Sequence, residues 1–150
     1  MAALAALALL SSAGFSSAQQ SGSAAEAKAM LGRAVAALKT EFKATALSEF
    51  NDKNNQHYHD RDLYVFCFNM PDGKLTATAN PTLIGTDGRT LKFKDDPFGQ
   101  RIYDATKGTP EESVATVDYN CPKPGTTEHV PKQSFVTCVG EQGCGVGYYK

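Results

Sequence analysis

The 150-residue sequence lacks tryptophan, long apolar runs and any appreciable net charge. No apolar run approaches the roughly 18 residues that a membrane-spanning helix needs, which excludes a polytopic membrane protein. Fifteen Lys and Arg oppose 16 Asp and Glu, so there is no electrostatic footprint for nucleic acid or for an anionic membrane surface. The length excludes a large multi-domain enzyme. The 41% hydrophobic content is that of one compact globular domain.

Several catalytic and metal-binding motifs are also missing. None of the four cysteines forms a C-x-x-C pair or a C-x-x-C-H haem attachment site, so neither structural zinc nor haem is predicted. There is no G-x-S-x-G nucleophile elbow. His129 is the one histidine that could serve Ser134 or Cys121 as a catalytic partner, and this pairing is weak support for a hydrolase. We therefore predict a protein that is not an enzyme.

The N-terminal segment is typical of an export signal. Residues 1–10 read MAALAALALL, and small residues at Ser16 and Ala18 precede Gln19. This pattern is an apolar h-region followed by a cleavage site, although no Lys or Arg occurs before Lys28. The alternative is an Ala-rich helical extension of the mature protein. We predict a signal peptide over 1–18, a single domain over 19–150 and a periplasmic or secreted location.

The periodicity changes once along the domain. Apolar residues recur every three to five positions from Ala24 to about Phe50, which predicts one long amphipathic helix; they are Leu31, Val35, Leu38, Phe42, Leu47 and Phe50. Beyond a polar segment at 51–60 the period is that of strands. We predict five antiparallel strands over 62–69, 75–78, 114–121, 132–139 and 144–149, with a short helix over 97–106. The fold class is α+β, a long N-terminal helix packed on a five-stranded antiparallel sheet.

The strand layout limits the disulfide pairings without deciding them. A turn at 124–127 places Cys121 near Val130, which leaves Cys138 too far along the strand for a bridge to Cys121. Cys138–Cys144 would close the last hairpin. Cys67–Cys144 would link the first and last strands if these are neighbours. The remaining alternative is that all four cysteines are buried and pack as small hydrophobic side chains.

Five strings in order resemble single Cache domains, the PAS-like extracytoplasmic ligand-sensing modules of bacterial chemoreceptors and histidine kinases. They read DRDLYVFCFN, DGKLTATANPTLIG, KDDPFGQRIYDATKG, VDYNCPKPGTTEHVPKQSFV and CGVGYYK, and the resemblance covers roughly 24–150. It implies a PAS-like sheet and a pocket over that sheet for a small molecule, commonly an organic acid. Since the sequence ends at Lys150 with no transmembrane helix after the domain, we expect a free-standing exported form.

The resemblance also directs attention to the pocket. It makes one face of the first strand part of the pocket wall, which selects Phe66 and Phe68. Thr78 and Ala79 stand where family members often carry His-Pro, and the aromatic residue that is common near Cys121 is absent, so the usual family ligands are not carried over.

The resemblance places Lys132 in the ligand-binding part of the domain, and Lys132 and Tyr119 are the predicted polar anchors of the pocket. The turn at 124–127 places Tyr119 opposite Lys132, so an ammonium and a phenol point into one space, which suits a carboxylate. The alternative is a solvated lysine at a strand end. The predicted ligand-binding residues are Phe66, Phe68, Thr78, Tyr119 and Lys132.

The segment His57-x-His59-Asp60 has the side chains of a zinc or copper site, but a polar loop is the favoured interpretation. No metal and no cofactor are predicted.

The sequence as a whole favours a small-molecule sensor in signal transduction or chemotaxis. The expected partners are a small organic acid and a membrane receptor or histidine kinase, and nucleic acid is not among them. The charged flank of the first helix predicts a monomer or a weak dimer. The alternatives are an adaptor subunit without a ligand and, less favoured, a small hydrolytic enzyme.

Overall fold

The computed structural model describes residues 21–150, and the predicted signal peptide lies outside them. These residues form three α-helices, two short 3₁₀-helices and one six-stranded antiparallel sheet. The helices are α1 (Ala24–Thr40), α2 (Lys43–Asn51) and α3 (Phe98–Lys107); the strands are β1 (His59–Asp60), β2 (Leu63–Asn69), β3 (Leu75–Ala77), β4 (Ala115–Pro122), β5 (His129–Val139) and β6 (Gln142–Tyr149). The predicted α+β class is confirmed.

The predicted long N-terminal helix is wrong in its length. Helix α1 ends at Thr40, because Glu41 and Phe42 adopt extended backbone angles before α2 begins. The break turns α2 so that Ala46 and Phe50 are buried in the core, while Phe42 is 88% exposed. Phe42 is therefore not the core residue that the periodicity predicted. Tertiary packing of α2 has overridden local helix propensity here.

The order of the main strands is β1-β2-β6-β5-β4, with β3 paired to the free edge of β2. The five predicted strands are all present, and the two-residue β1 adds a sixth. In the β4–β5 hairpin Tyr119 lies opposite Lys132 and Cys121 opposite Val130, as the predicted turn requires.

Two apolar layers flank the sheet. Helices α1 and α2 cover one face, where the core includes Val65, Phe135 and Val146. Helix α3 and the loop between β3 and α3 cover the other face, against Phe66, Phe68 and Val136. The division follows strand alternation, because neighbouring residues of one strand point to opposite faces.

The cysteines adopt one of the two bridges that the sequence left open. Cys67 and Cys144 lie opposite each other on β2 and β6 and form a disulfide. The Cys138–Cys144 alternative is wrong, because Gly143 is the partner of Cys138 in the hairpin register. Cys121 and Cys138 are free thiols.

Candidate functional site

A cavity of about 410 Å³ lies between the sheet and the layer formed by α3 and its preceding loop. All five residues predicted from the sequence line this cavity: Phe66, Phe68, Thr78, Tyr119 and Lys132. They come from four different strands or strand ends. The structure brings all five residues to one cavity, and their role in binding remains a prediction.

Aromatic rings form most of the cavity wall. Phe66 and Phe68 project from β2 and meet edge to face, with ring centroids 6.1 Å apart. Phe98, at the start of α3, stacks on Tyr119 at 5.3 Å and on Phe93 at 4.5 Å. This stack joins the loop, α3 and β4 across the cavity. It gives any ligand a largely apolar surface to pack against.

Lys132 brings a positive charge into this apolar space. The residue is only 3% exposed. Its Nζ lies 4.6 Å from the ring centroid of Tyr149 and 5.1 Å from that of Tyr64. Within residues 21–150 no carboxylate forms an ion pair with it. The alternative of a solvated lysine at a strand end is therefore wrong.

The glycines of β6 make room on the cavity side of the sheet, and Gly147 makes room for this lysine. Gly143, Gly145 and Gly147 lie on the cavity face of the strand. A Cβ at Gly147 would stand 2.8 Å from Lys132 Cε and 2.7 Å from Ser134 Oγ. The glycine-rich C-terminal string is thus a strand whose missing side chains create space.

Three hydroxyl groups lie near the lysine, those of Tyr119, Ser134 and Tyr149. The Tyr119 and Ser134 hydroxyl oxygens are 2.9 Å apart, and Tyr149 donates a hydrogen bond to the Pro122 carbonyl at 2.6 Å. Burial raises the pKa of both tyrosines above the usual value. Both phenols therefore stay protonated near neutral pH, where they act as hydrogen-bond donors.

Thr78 is held at the end of β3 by a side chain of α2. The Thr78 N–H donates to Asn51 Oδ1 at 3.1 Å, and Asn51 Nδ2 donates to the Thr76 carbonyl at 2.9 Å. The Thr78 hydroxyl accepts a bond from the Asn80 N–H at 3.4 Å. Asn51 thus ties the end of α2 to the cavity wall.

Sequence reasoning missed several lining residues. Tyr149 could have been found, because strand alternation puts it on the same face as Gly145 and Gly147. Leu91 and Phe93 could not, because the path of an irregular loop is set by tertiary packing. Phe98 begins α3, and the position of that helix over the sheet depends on the same loop.

The other candidate constellations are not assembled into sites. His59 Nε2 lies 2.8 Å from the Phe50 carbonyl and Asp60 pairs with Arg61, while His57 is exposed. Within the described chain no group of three His, Cys, Asp or Glu side chains is placed to hold a metal ion. His129 packs edge-on against Phe93, and the hydroxyl partner of Ser134 is Tyr119.

Comparison with solved structures identifies the fold. A methyl-accepting chemotaxis protein from Vibrio parahaemolyticus aligns with a TM-score of 0.64 at 20% identity, over 83% of this chain and 86% of its own. The periplasmic sensor domain of a chemotaxis protein gives 0.56 at 24% identity, over 83% and 88%. A Cache chemosensory domain, described for its recognition of a carboxylic acid, gives 0.58 at 22% identity, over 80% and 83%.

These neighbours are sensor domains rather than enzymes, and the chain has their PAS-like, Cache-type fold. No protein-family model and no curated protein matches the sequence. None of the helices within residues 21–150 combines the length and apolar character needed to cross a membrane.

Proposed function

We propose that this chain is a ligand-sensing domain that binds a small carboxylate in the cavity between the sheet and α3. The observation that carries the proposal is the buried ammonium of Lys132, which faces a cavity and has no carboxylate partner within residues 21–150. An unpaired buried charge costs free energy. An anionic ligand would remove that cost and accept a charge-assisted hydrogen bond.

The wall chemistry narrows the class of ligand. Lys132 is the only buried cation among the described lining residues, and most of the lining is aromatic or aliphatic, although half-buried Asp62 and exposed Lys92 also line the cavity. The ligand that fits is a monocarboxylate with a compact apolar body, oriented by the ammonium and by the Tyr119 hydroxyl. The carboxylic acid named for one structural neighbour supports this choice.

The proposed setting is extracytoplasmic. Residues 1–18 act as a signal peptide and 19–150 form a single Cache domain that reports ligand binding to a membrane receptor or histidine kinase. Support comes from the chemotaxis proteins among the neighbours and from the Cys67–Cys144 bridge, because disulfides persist mainly in exported proteins. N-terminal sequencing of protein from the native host should begin at Gln19; an intact Met1 on cytoplasmic protein would contradict export.

A thermal-shift screen of small carboxylates and amino acids, followed by calorimetry, tests the proposal. A ligand at 100 times its dissociation constant should stabilise the fold by about 2.7 kcal/mol. Lys132→Met keeps the length of the side chain and removes its charge, so affinity for the best acid should fall by roughly 10- to 150-fold. Lys107→Met is the matched control, because Lys107 is exposed on α3 away from the cavity.

Each alternative has its own outcome in this screen. No shift with any compound would favour an adaptor that binds no ligand. Turnover of a shifted compound would favour an enzyme. Unchanged affinity in a folded Lys132→Met variant would show that the ammonium does not hold the ligand.

A further inference from the structure

Cys121 is a free thiol in the wall of the same cavity. It is half-buried near the end of β4. Its Sγ lies 3.8 Å from the Tyr149 hydroxyl oxygen and 3.6 Å from the Pro122 carbonyl oxygen. The other free thiol, Cys138, donates to the Thr106 carbonyl at 3.2 Å and does not line this cavity.

One tyrosine brings the thiol and the buried cation together. The ring face of Tyr149 supports the Lys132 ammonium at 4.6 Å, while its hydroxyl contacts the Cys121 sulfur. Lys132 and Cys121 therefore contact opposite parts of one side chain and line the same cavity. Packing alone would be served equally well by an apolar side chain at position 121.

From this juxtaposition we infer that Cys121 is a modification site that takes low-molecular-weight disulfides bearing a carboxylate. The Cys121 thiol loses its proton to solvent, and its sulfur attacks one sulfur of the reagent. A new Cys121–S bond forms while the reagent S–S bond breaks, and the second half leaves as a thiolate that takes up a proton. Cys121 is oxidised and the departing half is reduced, so atoms and electrons balance.

The inference rests on the proposed function for the role of Lys132 as an anion anchor. Its consequence is that the attached half-molecule occupies the ligand space. Modification of Cys121 and binding of a carboxylate then exclude each other, which makes the cavity responsive to the thiol–disulfide balance outside the cell.

Two matched reagents test the inference on the full chain with its Cys67–Cys144 bridge intact. One is 3,3′-dithiodipropionate, which carries carboxylates, and the other is bis(2-hydroxyethyl) disulfide, which is neutral. Intact-mass time courses and peptide mapping give the rate at each cysteine. We expect the anionic reagent to modify Cys121 faster than Cys138, and Lys132→Met to slow that reaction about tenfold or more. For the neutral reagent, the rate at Cys121 should change less than about twofold between the wild type and Lys132→Met.

Cysteine variants locate the reaction. Cys121→Ser should abolish the fast reaction and Cys138→Ser should leave it unchanged. The reverse result would overturn the inference, as would equal slowing of both reagents by Lys132→Met. If Lys132→Met does not fold, the wild-type chain serves instead. The ratio of the Cys121 rate with the anionic reagent to that with the neutral reagent is measured in the native chain and again in urea. Equal ratios in the two states would also overturn the inference.

The failure of this inference is distinguishable from failure of the proposed function. A carboxylate that binds equally well before and after Cys121 is blocked sustains the proposed function and contradicts the modification site. A charge-dependent reaction at Cys121 in a chain that binds no carboxylate from the screen would sustain the modification site and contradict the proposed function.

Discussion

At the scale of single residues, Gly147 controls the position of the Lys132 side chain. A methyl group at this position would meet Ser134 Oγ at 2.7 Å and Lys132 Cε at 2.8 Å. Overpacking of this kind costs about 1–3 kcal/mol. We expect Gly147→Ala to lower the free energy of unfolding by that amount and to weaken carboxylate binding, as measured by urea unfolding and calorimetry.

Gly32→Ala is the matched control for Gly147→Ala. Gly32 lies inside α1 with no atom within 4 Å of an added Cβ, and alanine is the better helix former by up to about 1 kcal/mol. The control should be at least as stable as the wild type and bind with unchanged affinity. Equal effects of the two alanines would show that crowding at Gly147 is unimportant.

The resemblance to Cache domains is what pointed to one face of the sheet as a pocket wall, whereas the register of the polar pair on that face was accessible from the sequence for a physical reason. Strand alternation and a short hairpin turn fix which side chains share a face, so Tyr119 and Lys132 could be placed opposite each other. The same rule places Tyr149 on the cavity face. Phe93 could not be placed, because the irregular loop between β3 and α3 has no period that defines its path, and the position of Phe98 at the start of α3 depends on that loop.

At the scale of secondary-structure elements, the start of α1 predicts a dependence of stability on pH. Ser23 and Glu26 form a capping box, and Arg61 Nη2 lies 2.6 Å from Glu26 Oε1. The hydrogen bond from Arg61, together with those at Ser23, lowers the pKa of Glu26 to about 2. Since the folded-state pKa is lower than the unfolded one, this contribution to stability is complete above about pH 5. It is lost as the pH falls through about 2.

Urea midpoints measured between about pH 6 and pH 2 test this expectation. Glu26→Gln retains an acceptor for the capping box and removes the titration, so its stability should fall less steeply in acid. Glu128→Gln is the control, because Glu128 forms no ion pair within residues 21–150. Parallel curves for wild type and Glu26→Gln would contradict the assigned role.

The bridge between β2 and β6 makes a second prediction at this scale. Cys67 and Cys144 are separated by 77 positions in sequence and are almost fully buried. Constraining a loop of that length is worth roughly 3–5 kcal/mol. The double variant Cys67→Ala/Cys144→Ala should lose that amount in urea unfolding, whereas Cys121→Ala/Cys138→Ala keeps the bridge and should lose much less. Equal losses would indicate that packing of the thiols, rather than the bridge, is what matters.

The break between α1 and α2 shows where element-level prediction fails. The sequence from Ala24 to Phe50 has no proline, and its glycine at Gly32 lies inside α1. Nothing local therefore marks Glu41 and Phe42 as a break. The helix is interrupted because a straight continuation would carry Ala46 and Phe50 away from the core that they enter. Burial of Phe50 alone is worth about 1.5–3 kcal/mol, which exceeds the local preference for continuing the helix.

At the scale of the whole molecule, the sheet is the layer between the cavity and α1. Lys132 of β5 lines the cavity, while Phe135 of the same strand packs on the α1 side. Phe135 stacks on Tyr148 of β6 at 5.6 Å, and Lys28 of α1 lies over the Phe135 ring. A displacement of β5 by a ligand would therefore reach α1 through direct contacts, which fits a domain that reports binding to a partner.

The assembly state is the remaining prediction at this scale. The outward flank of the first helical segments carries exposed charged residues, namely Lys28, Arg33, Lys39, Glu41 and Lys43. Phe42, 88% exposed, is the large apolar side chain on this surface. One phenylalanine buries at most about 200 Å², whereas a stable dimer buries about 800 Å² on each partner. We therefore expect a monomer at micromolar concentration in sedimentation equilibrium, with the same mass for Phe42→Ser. A tight dimer that Phe42→Ser dissociates would instead identify the break between α1 and α2 as a self-association surface.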